Sequence, residues 1–351
     1  MWAIGDILMA TPMIDAIRTK EPDAHIAWLV DVKNAEVLEN HPGIDEVIVI
    51  DSGHWRRLRR RGNLIAWAAL TAELHGSIKR RQFDAVINCQ AEDWWSRFLC
   101  PAPVRVGVAW SIKTRWRHWY THFVVKQHRG GLHNTDHFLQ ATTILGFPPA
   151  SKRMTIGETP DEASFFEDFV RRNGIDTDRP MIVIAPFSTA ENRSLEPALM
   201  AQVADWLDAE YGAKIVVTAG PGDKEKARAI VDASTRASIV VAEGTGLREY
   251  ISILRHADLI VTGDSSPMHL AAALGTPYVA LFGPTPVNER APFDSKGHVI
   301  VKPIPCSPCD LSTCSNKVFK ECMKLIELAD IQKAVRDMVA EYGVFSKTPV
   351  L

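Results

Sequence analysis

The first 150 residues alternate short apolar runs with amphipathic stretches. Apolar residues at helical spacing predict a helix over 7–17 that ends near Glu21-Pro22, and a long helix over 64–81. A polar helix is predicted over 32–40. The apolar runs predict strands at 24–30, 47–50, 83–88 and 105–108. Strands that alternate with helices are typical of a parallel, doubly wound sheet.

The same alternation resumes after a polar stretch, 146–180, that contains a helix over 163–173. Strands are predicted at 181–185, 214–218, 238–241, 257–262 and 278–282. Helices are predicted between and after them, at 196–211, 224–234, 247–256, 266–274 and 328–341. Two alternating series indicate an α/β fold of two Rossmann-like domains with a central cleft, where strand ends would bind ligands. We place the domains at 1–155 and 156–325, and expect the helix within 326–351 to pack back across both.

The start of the chain departs from this pattern. The turn at Gly5-Asp6 opens a helix and should follow a strand, but only four residues precede it. We therefore expect either that the first strand of the N-terminal domain is missing or that this start is misassigned.

Composition narrows the class of protein. The 351 residues are 46% apolar and 23% charged, which excludes wholesale disorder, and the net charge of −2 excludes a uniformly basic nucleic-acid-binding protein. The charge is uneven, because Trp55–Gly130 holds 15 Lys/Arg and 4 Asp/Glu. Such a block indicates an anionic partner or a solvated surface. No apolar run reaches the ~20 residues of a membrane span and no signal segment opens the chain, so we expect a cytosolic protein, at most peripheral to a membrane.

Four of the six cysteines lie close together, with the spacing Cys-x2-Cys-x4-Cys-x7-Cys: they are Cys306, Cys309, Cys314 and Cys322. Four thiolates on a short loop have the count of a tetrahedral zinc site. The spacing is irregular for a zinc finger, however, and a reducing compartment is the simpler assumption. A structural zinc ion, reduced thiols, and a disulfide or other cluster therefore all stay open, and a catalytic metal is not expected.

The sharpest motif is the strand-to-helix turn Val261–Gly275. Its first glycine lets the backbone turn, and Asp264, Ser265 and Ser266 offer caps and free amides at a helix start. A helix N-terminus with exposed N–H groups suits a pyrophosphate. An ordinary capped turn fits the same residues equally well, and His269 alone is more often a packed histidine than a ligand.

Three more strand ends in the same domain carry polar side chains. A Gly-rich turn ends in Asp223, whose carboxylate suits a ribose diol. Ser188 and Arg193 follow another strand, and arginine suits a phosphate. Phe282-Gly-Pro-Thr285 ends a fourth strand. Each alone is more often an ordinary surface turn, yet the four together favour a nucleoside diphosphate.

With these motifs the chain resembles family 9 of the glycosyltransferases, the ADP-heptose–lipopolysaccharide heptosyltransferases of the GT-B fold. The resemblance covers nearly the whole chain in order, and its two most specific motifs are Ala3-Ile-Gly-Asp-Ile-Leu-Met-Ala-Thr-Pro12 and Gly263–Gly275. Its other motifs are Asp84–Gln90, Arg105–Gly107, Thr218–Asp223 and Phe282–Thr285. The cysteine run is similar to that of the heptosyltransferase II branch.

The resemblance implies an inverting, metal-independent transfer of heptose from ADP-L-glycero-D-manno-heptose to the anionic inner core of lipopolysaccharide, with no required cofactor and no nucleic-acid partner. Asp6 matches the catalytic aspartate, which would take the proton of the acceptor hydroxyl. The donor would contact Ser188, Arg193, Asp223, Asp264, Ser265, Ser266 and His269. The basic stretch would face the acceptor and the inner face of the cytoplasmic membrane, with acceptor contacts at Thr11, Arg56, Arg57 and Arg60.

Two departures from the family pattern keep other functions open. Arg193-Ser-Leu-Glu196 stands where a Lys-x-Trp-Pro element is usual, and Ser265-Ser266 stands where Thr-Gly or Ser-Gly is common. Arginine keeps the charge of lysine but changes the geometry of the contact. The alternatives are a GT-B enzyme for another nucleotide sugar (another glycosyltransferase or an epimerase) and a non-catalytic member that only binds nucleotide or lipopolysaccharide.

Overall fold

The computed structural model describes residues 3–345, except 92–95, 100, 111–116, 127–130, 221 and 294. The chain divides into two compact units, Met1–Lys152 and Arg153–Leu351, close to the boundary predicted after residue 155. Parts of the predicted basic stretch, and residues 346–351 of the predicted C-terminal segment, lie outside the described residues.

The first unit is built from parallel strands and the helices that connect them. Its elements are α1 (Ile4–Ala10), α2 (Pro12–Lys20), β1 (Ala27–Asp31), β2 (Glu46–Ile50), α3 (Ser52–Arg60), α4 (Leu64–Arg80), β3 (Ala85–Asn88), β4 (Val104–Ala109), β5 (His122–Val125) and α5 (Asn134–Ile144). Strands β1 and β2 pair in parallel, and β3, β4 and β5 form a second parallel sheet in that order. Short 3-10 turns stand at Val32–Leu38, Ser96–Leu99 and Arg117–Trp119.

The predicted first helix is two helices, α1 and α2. Pro12 occupies the first helical position of α2, where its missing N–H costs nothing, but it cannot continue a helix from the preceding turn. The predicted polar helix over 32–40 is a 3-10 helix that Asp31 caps, accepting from the Lys33 N–H at 3.1 Å. Elements α3, α5 and β5 have no counterpart in the predicted pattern.

The second unit holds a six-stranded parallel sheet. Its elements are α6 (Asp161–Asn173), β6 (Met181–Ala185), α7 (Pro197–Tyr211), β7 (Lys214–Ala219), α8 (Lys224–Ala233), β8 (Ile239–Glu243), α9 (Leu247–Arg255), β9 (Leu259–Gly263), α10 (Ser266–Leu274), β10 (Tyr278–Phe282), α11 (Val287–Arg290), β11 (Gly297–Val301), α12 (Glu321–Lys324) and α13 (Leu328–Tyr342). The strand order is β11-β10-β9-β6-β7-β8, that of a Rossmann sheet. Strands β6, β9 and β10 are buried along their whole length, as parallel strands covered on both faces must be.

Helix α13 packs on this second unit. Its buried residues follow a helical stripe of Ile331, Ala334, Val335 and Met338, and the helix contacts α7, β10 and β11. Packing across both domains stays a prediction. Within the described residues, no helix combines the length and apolar character needed to cross a membrane.

The strand order reverses between β6 and β9, which are neighbours in the sheet. At such a reversal the following helices pack on opposite faces, and the loops that leave the two strands open a crevice at their carboxyl ends. The second unit therefore offers a ligand site at the ends of β6 and β9.

Candidate functional site

The predicted donor residues lie at the carboxyl edge of the six-stranded sheet. Ser188 and Arg193 follow β6, and Asp223 follows β7. Asp264, Ser265, Ser266 and His269 follow β9 or lie in the first turns of α10. Because β6 pairs with both β7 and β9, these three loops are neighbours.

An ion pair joins the loops after β6 and β9. Arg193 Nη1 lies 3.3 Å from Asp264 Oδ2, and the two side chains are 21% and 6% exposed. A Cβ at Gly263 would lie 2.9 Å from the Arg193 carbonyl oxygen, which is too close for any side chain. Gly263 does not have a positive φ, so its backbone conformation does not require glycine. Glycine is required here for the close approach of the two loops and not for the predicted backbone turn.

Several buried polar atoms around this ion pair have no hydrogen-bond partner among the described residues. They are Arg193 Nε, Asn192 Oδ1, Thr285 Oγ1 and Arg290 Nε. A buried polar atom left unpaired costs about 1–3 kcal/mol, so such atoms are rare in native proteins and call for an external partner. Their concentration at one sheet edge is what a polar ligand site requires.

Two residues that the sequence did not single out extend the network of charges. Asp310 Oδ1 lies 4.0 Å from Arg193 Nη2, and Asp310 Oδ2 lies 3.5 Å from Arg290 Nη2. Arg290 is the last residue of α11, shortly after the Phe282–Thr285 turn. Its position soon after a strand end is the sequence signal that could have identified it. Asp310 lies between Cys309 and Cys314, so its sequence context pointed to metal chemistry instead.

Lys226 connects the loops after β6 and β7. Its Nζ lies 2.7 Å from Glu191 Oε2 and 3.3 Å from Asp223 Oδ1. The hydrogen bond to Glu191 raises the pKa of Lys226, and the same bond lowers the pKa of Glu191. Asp223 is thus held within the site, while its contact with a ribose stays a prediction.

The start of α10 carries amides that its own cap residue does not use. Ser265 is the N-cap, with extended backbone, and its side chain makes no capping hydrogen bond within the described residues. Its Oγ lies 3.5 Å from Thr262 Oγ1 instead. An ordinary capped turn would use this hydroxyl, so the arrangement favours an external anion at the first-turn N–H groups. His269 is buried one turn further on.

In the first unit, Asp6 lies in the first turn of α1 and is half-buried. Thr11 is fully buried between α1 and α2, and its hydroxyl donates to the Leu8 carbonyl at 2.7 Å. The structure therefore gives Thr11 a local partner, and its contact with an acceptor stays a prediction.

Arg56, Arg57 and Arg60 are exposed on α3. Arg57 Nη2 lies 3.2 Å from Asp51 Oδ2, at the N-cap of the same helix. Trp55 anchors the helix from its inner face, where it is buried. The three arginines thus form an accessible cationic surface.

The four clustered cysteines line one cavity of about 20 Å³. All four are free thiols, and burial raises the pKa of Cys322. Throughout the described part of the chain, no group of three or more His, Cys, Asp or Glu side chains is placed to hold a metal ion. The predicted structural zinc site is therefore not confirmed, and the alternative of reduced thiols fits the arrangement.

Comparisons with known proteins identify the family. Residues 71–320 match the model of glycosyltransferase family 9 (heptosyltransferase). The lipopolysaccharide core heptosyltransferase OpsX of Haemophilus influenzae is 23% identical over 305 residues, covering 85% of this chain and 81% of its own length. Among solved structures, a family 9 glycosyl transferase from Veillonella parvula aligns with a TM-score of 0.80 at 23% identity, covering 97% of this chain and 95% of that one. The ADP-heptose lipopolysaccharide heptosyltransferase II of Escherichia coli aligns with a TM-score of 0.72 at 18% identity, covering 98% of both chains.

The structural similarities confirm the predicted GT-B fold. The family model extends over more than half of the sequence and includes the loops after β6, β7, β9 and β10. The chain belongs to glycosyltransferase family 9, the heptosyltransferases.

Proposed function

We propose that this glycosyltransferase moves heptose from ADP-L-glycero-D-manno-heptose to the inner core of lipopolysaccharide, with inversion at the anomeric carbon. The observation that carries the proposal is the cluster at the β6–β9 reversal, where Arg193, Asp264 and the α10 amides gather around unpaired buried polar atoms. The names of the relatives supply the donor and the acceptor: one is a lipopolysaccharide core heptosyltransferase and another an ADP-heptose heptosyltransferase.

The donor site stabilises the leaving group with the protein's own charges. As the bond between the anomeric carbon and the diphosphate breaks, negative charge grows on the phosphate oxygen. Arg193 and the N–H groups at the start of α10 follow the neighbouring strands β6 and β9, and we propose that they stabilise that charge in place of a metal ion. Asp264 holds the guanidinium of Arg193 in place, and Asp223 is the candidate partner of the ribose.

Asp6 is the proposed base. Its carboxylate takes the proton of the acceptor hydroxyl, the hydroxyl oxygen attacks the anomeric carbon, and ADP leaves from the opposite face. The first turn of a helix favours an ionised carboxylate, because the helix dipole is positive there. An ionised carboxylate is the state that a base must have before it accepts a proton.

The acceptor is expected to bind at the first unit. Arg56, Arg57 and Arg60 offer cations to its carboxylates and phosphates. Because lipopolysaccharide precursors are anchored in lipid, we also propose that the protein works at the inner face of the cytoplasmic membrane, as a peripheral protein.

Two measurements test the donor and the base separately. In a thermal-shift assay, ADP and ADP-heptose should raise the melting temperature, and UDP-sugars should not, since a ligand stabilises only the state that binds it. Asp6→Asn should lower the transfer rate at least about 100-fold while leaving the ADP shift unchanged. Asp15→Asn is the matched control, because Asp15 lies in the first turn of the neighbouring helix α2. Stabilisation by UDP-sugars alone would refute the donor, and full activity of Asp6→Asn would refute the base.

A further inference from the structure

Helix α4 presents an apolar face to solvent. Leu64 is 60% exposed and Ile65 is 87% exposed, and the next residues on this face are also exposed: Ala68, Ala69 and Ala72. The first charged residue of the helix is Glu73. The opposite face packs normally: Ile78 is buried in a cluster with Ile50, Trp55 and Leu99, and Trp67 and Leu70 pack against this cluster. The helix is therefore apolar on both faces over its first turns, which is unusual for a surface helix.

A cationic surface adjoins this apolar face. The end of α3 and the turn after it carry five exposed arginines: Arg56, Arg57, Arg59, Arg60 and Arg61. Every residue from Arg59 to Ile65 is exposed. We call the segment Arg56–Ala72 the α3–α4 corner.

The corner contains a turn with defined hydrogen bonds. Gly62 has a φ of +71°, which glycine adopts freely, and its N–H donates to the Arg59 carbonyl at 3.1 Å. Asn63 caps α4, accepting from the Ala66 N–H at 3.2 Å. Leu64 and Ile65 are thus held outward by local structure, next to the arginines.

Arginines beside exposed aliphatic side chains match the chemistry of an anionic membrane surface. Arginine guanidiniums bind lipid phosphates, and aliphatic side chains gain free energy when they leave water for the acyl boundary. A water-soluble anionic sugar would satisfy the arginines but would leave Leu64 and Ile65 in water. Exposed apolar patches rimmed by charge are typical interaction sites.

We propose that the α3–α4 corner docks on an anionic phospholipid bilayer, with Leu64 and Ile65 inserted below the headgroups and the arginines at the phosphates. The inference deepens the peripheral membrane contact of the proposed function by naming the element and the lipid chemistry. It does not depend on the identity of the donor sugar.

Vesicle co-sedimentation tests the proposal without donor or acceptor. The wild-type chain should bind vesicles of equal parts phosphatidylglycerol and phosphatidylcholine, and should bind pure phosphatidylcholine far more weakly. The double variant Leu64→Ser/Ile65→Ser should lower the partition coefficient about tenfold or more, from the apolar area returned to water. Arg56→Gln/Arg60→Gln/Arg61→Gln should lower it about 100-fold at low salt, at roughly a factor of five per arginine.

The matched control is Val301→Ser/Leu325→Ser. It removes two exposed aliphatic side chains, 46% and 44% exposed, from the second unit. This variant should bind the anionic vesicles as the wild type does. Because Leu64 and Ile65 are exposed, their double variant should keep the wild-type melting temperature and the ADP-induced shift.

Three outcomes would overturn the proposal. The first is that Leu64→Ser/Ile65→Ser binds anionic vesicles as tightly as the wild type, which would mean that the arginines alone act. The second is that the wild type ignores vesicles but forms a dimer that the double variant loses, which would make a second copy the partner. The third is that only vesicles containing the lipopolysaccharide acceptor are bound. Transfer to a water-soluble acceptor saccharide, measured without vesicles, tests the proposed function independently of all three.

Discussion

Arg193 offers the most direct test of the candidate donor site. Its Nη1 lies 3.3 Å from Asp264 Oδ2, and its Nη2 lies 4.0 Å from Asp310 Oδ1. Arg193→Gln keeps much of the side-chain length and removes the charge. If Arg193 binds the donor diphosphate as proposed, the variant loses that charge-assisted hydrogen bond. It also leaves the carboxylates of Asp264 and Asp310 without their shared cation.

The structure sets the size of the effect. A hydrogen bond to a charged group is worth about 1.5–3 kcal/mol, or about 10- to 150-fold in a dissociation constant. The guanidinium is 21% exposed, so water screens part of this. A second contribution increases the effect: Asp264 is 6% exposed, and without Arg193 its carboxylate would repel the diphosphate with no cation between them. We expect the Kd for ADP to rise at least about tenfold in Arg193→Gln.

A double-mutant cycle separates these two contributions. Asp264→Asn added to Arg193→Gln removes the repulsion, so the double variant should bind ADP about threefold more tightly than Arg193→Gln alone. Arg193→Lys keeps the charge but loses the planar fork, and should lie between the wild type and Arg193→Gln. Isothermal titration with ADP measures each Kd. A Kd for Arg193→Gln within twofold of the wild-type value would refute the role given to Arg193.

Three other predictions concern the stability of each unit and the close approach of two loops in the second unit. Glu162 is 1% exposed and forms ion pairs with Arg248 and with Arg255, the latter at 2.8 Å. Glu162→Gln should therefore lower the free energy of unfolding by about 3–5 kcal/mol and the melting temperature by at least about 6 °C. The control is Asp168→Asn, because Asp168 forms an exposed ion pair with Arg171. This substitution should lower the free energy of unfolding by under about 1 kcal/mol. Gly263→Ala should weaken ADP binding, measured by titration, because its Cβ would lie 2.9 Å from the Arg193 carbonyl. Burial lowers the pKa of His41 from 6.5 to about 4. As the pH falls, the unfolded chain therefore binds a proton before the folded chain does, and the free energy of unfolding should decrease between pH 6.5 and pH 4. Urea unfolding should show a smaller decrease over this range for His41→Asn than for the wild type.

The second unit could be predicted closely from the sequence because its strands are buried on both faces. Continuous apolar runs such as 181–185 and 278–282 have the bounds of β6 and β10 in the structure. The first unit is less regular. Helix α3 was missed because arginines dominate it and Trp55 is its one buried apolar side chain, so it has too few apolar residues to reveal a helical pattern.

The site could be predicted only as far as strand ends reveal it. Residues that follow a strand, such as Arg193 and Asp264, could be singled out from the sequence because their position and their chemistry both suit a ligand. Lys226 and Arg290 act at the same edge from within helices, where a charged residue has the appearance of an ordinary solvated side chain. Only the fold shows that α8 and α11 bring these cations to the strand ends.

The cysteine-rich segment 306–322 is hydrogen-bonded to the loop that carries Arg193 in the candidate donor site. Asn192 Nδ2 donates to the Leu311 carbonyl at 2.9 Å, and Lys320 Nζ donates to the Ser194 carbonyl at 2.9 Å. These two bonds fix the segment on both sides of Arg193, and Asp310 approaches the guanidinium from the same segment. A metal ion is not needed to explain why this segment is compact, because hydrogen bonds and the buried Lys320 already tie it to the sheet edge. The four cysteines line a cavity that Asn192 and Lys320 also line, so they lie where the segment meets the loop that carries Arg193.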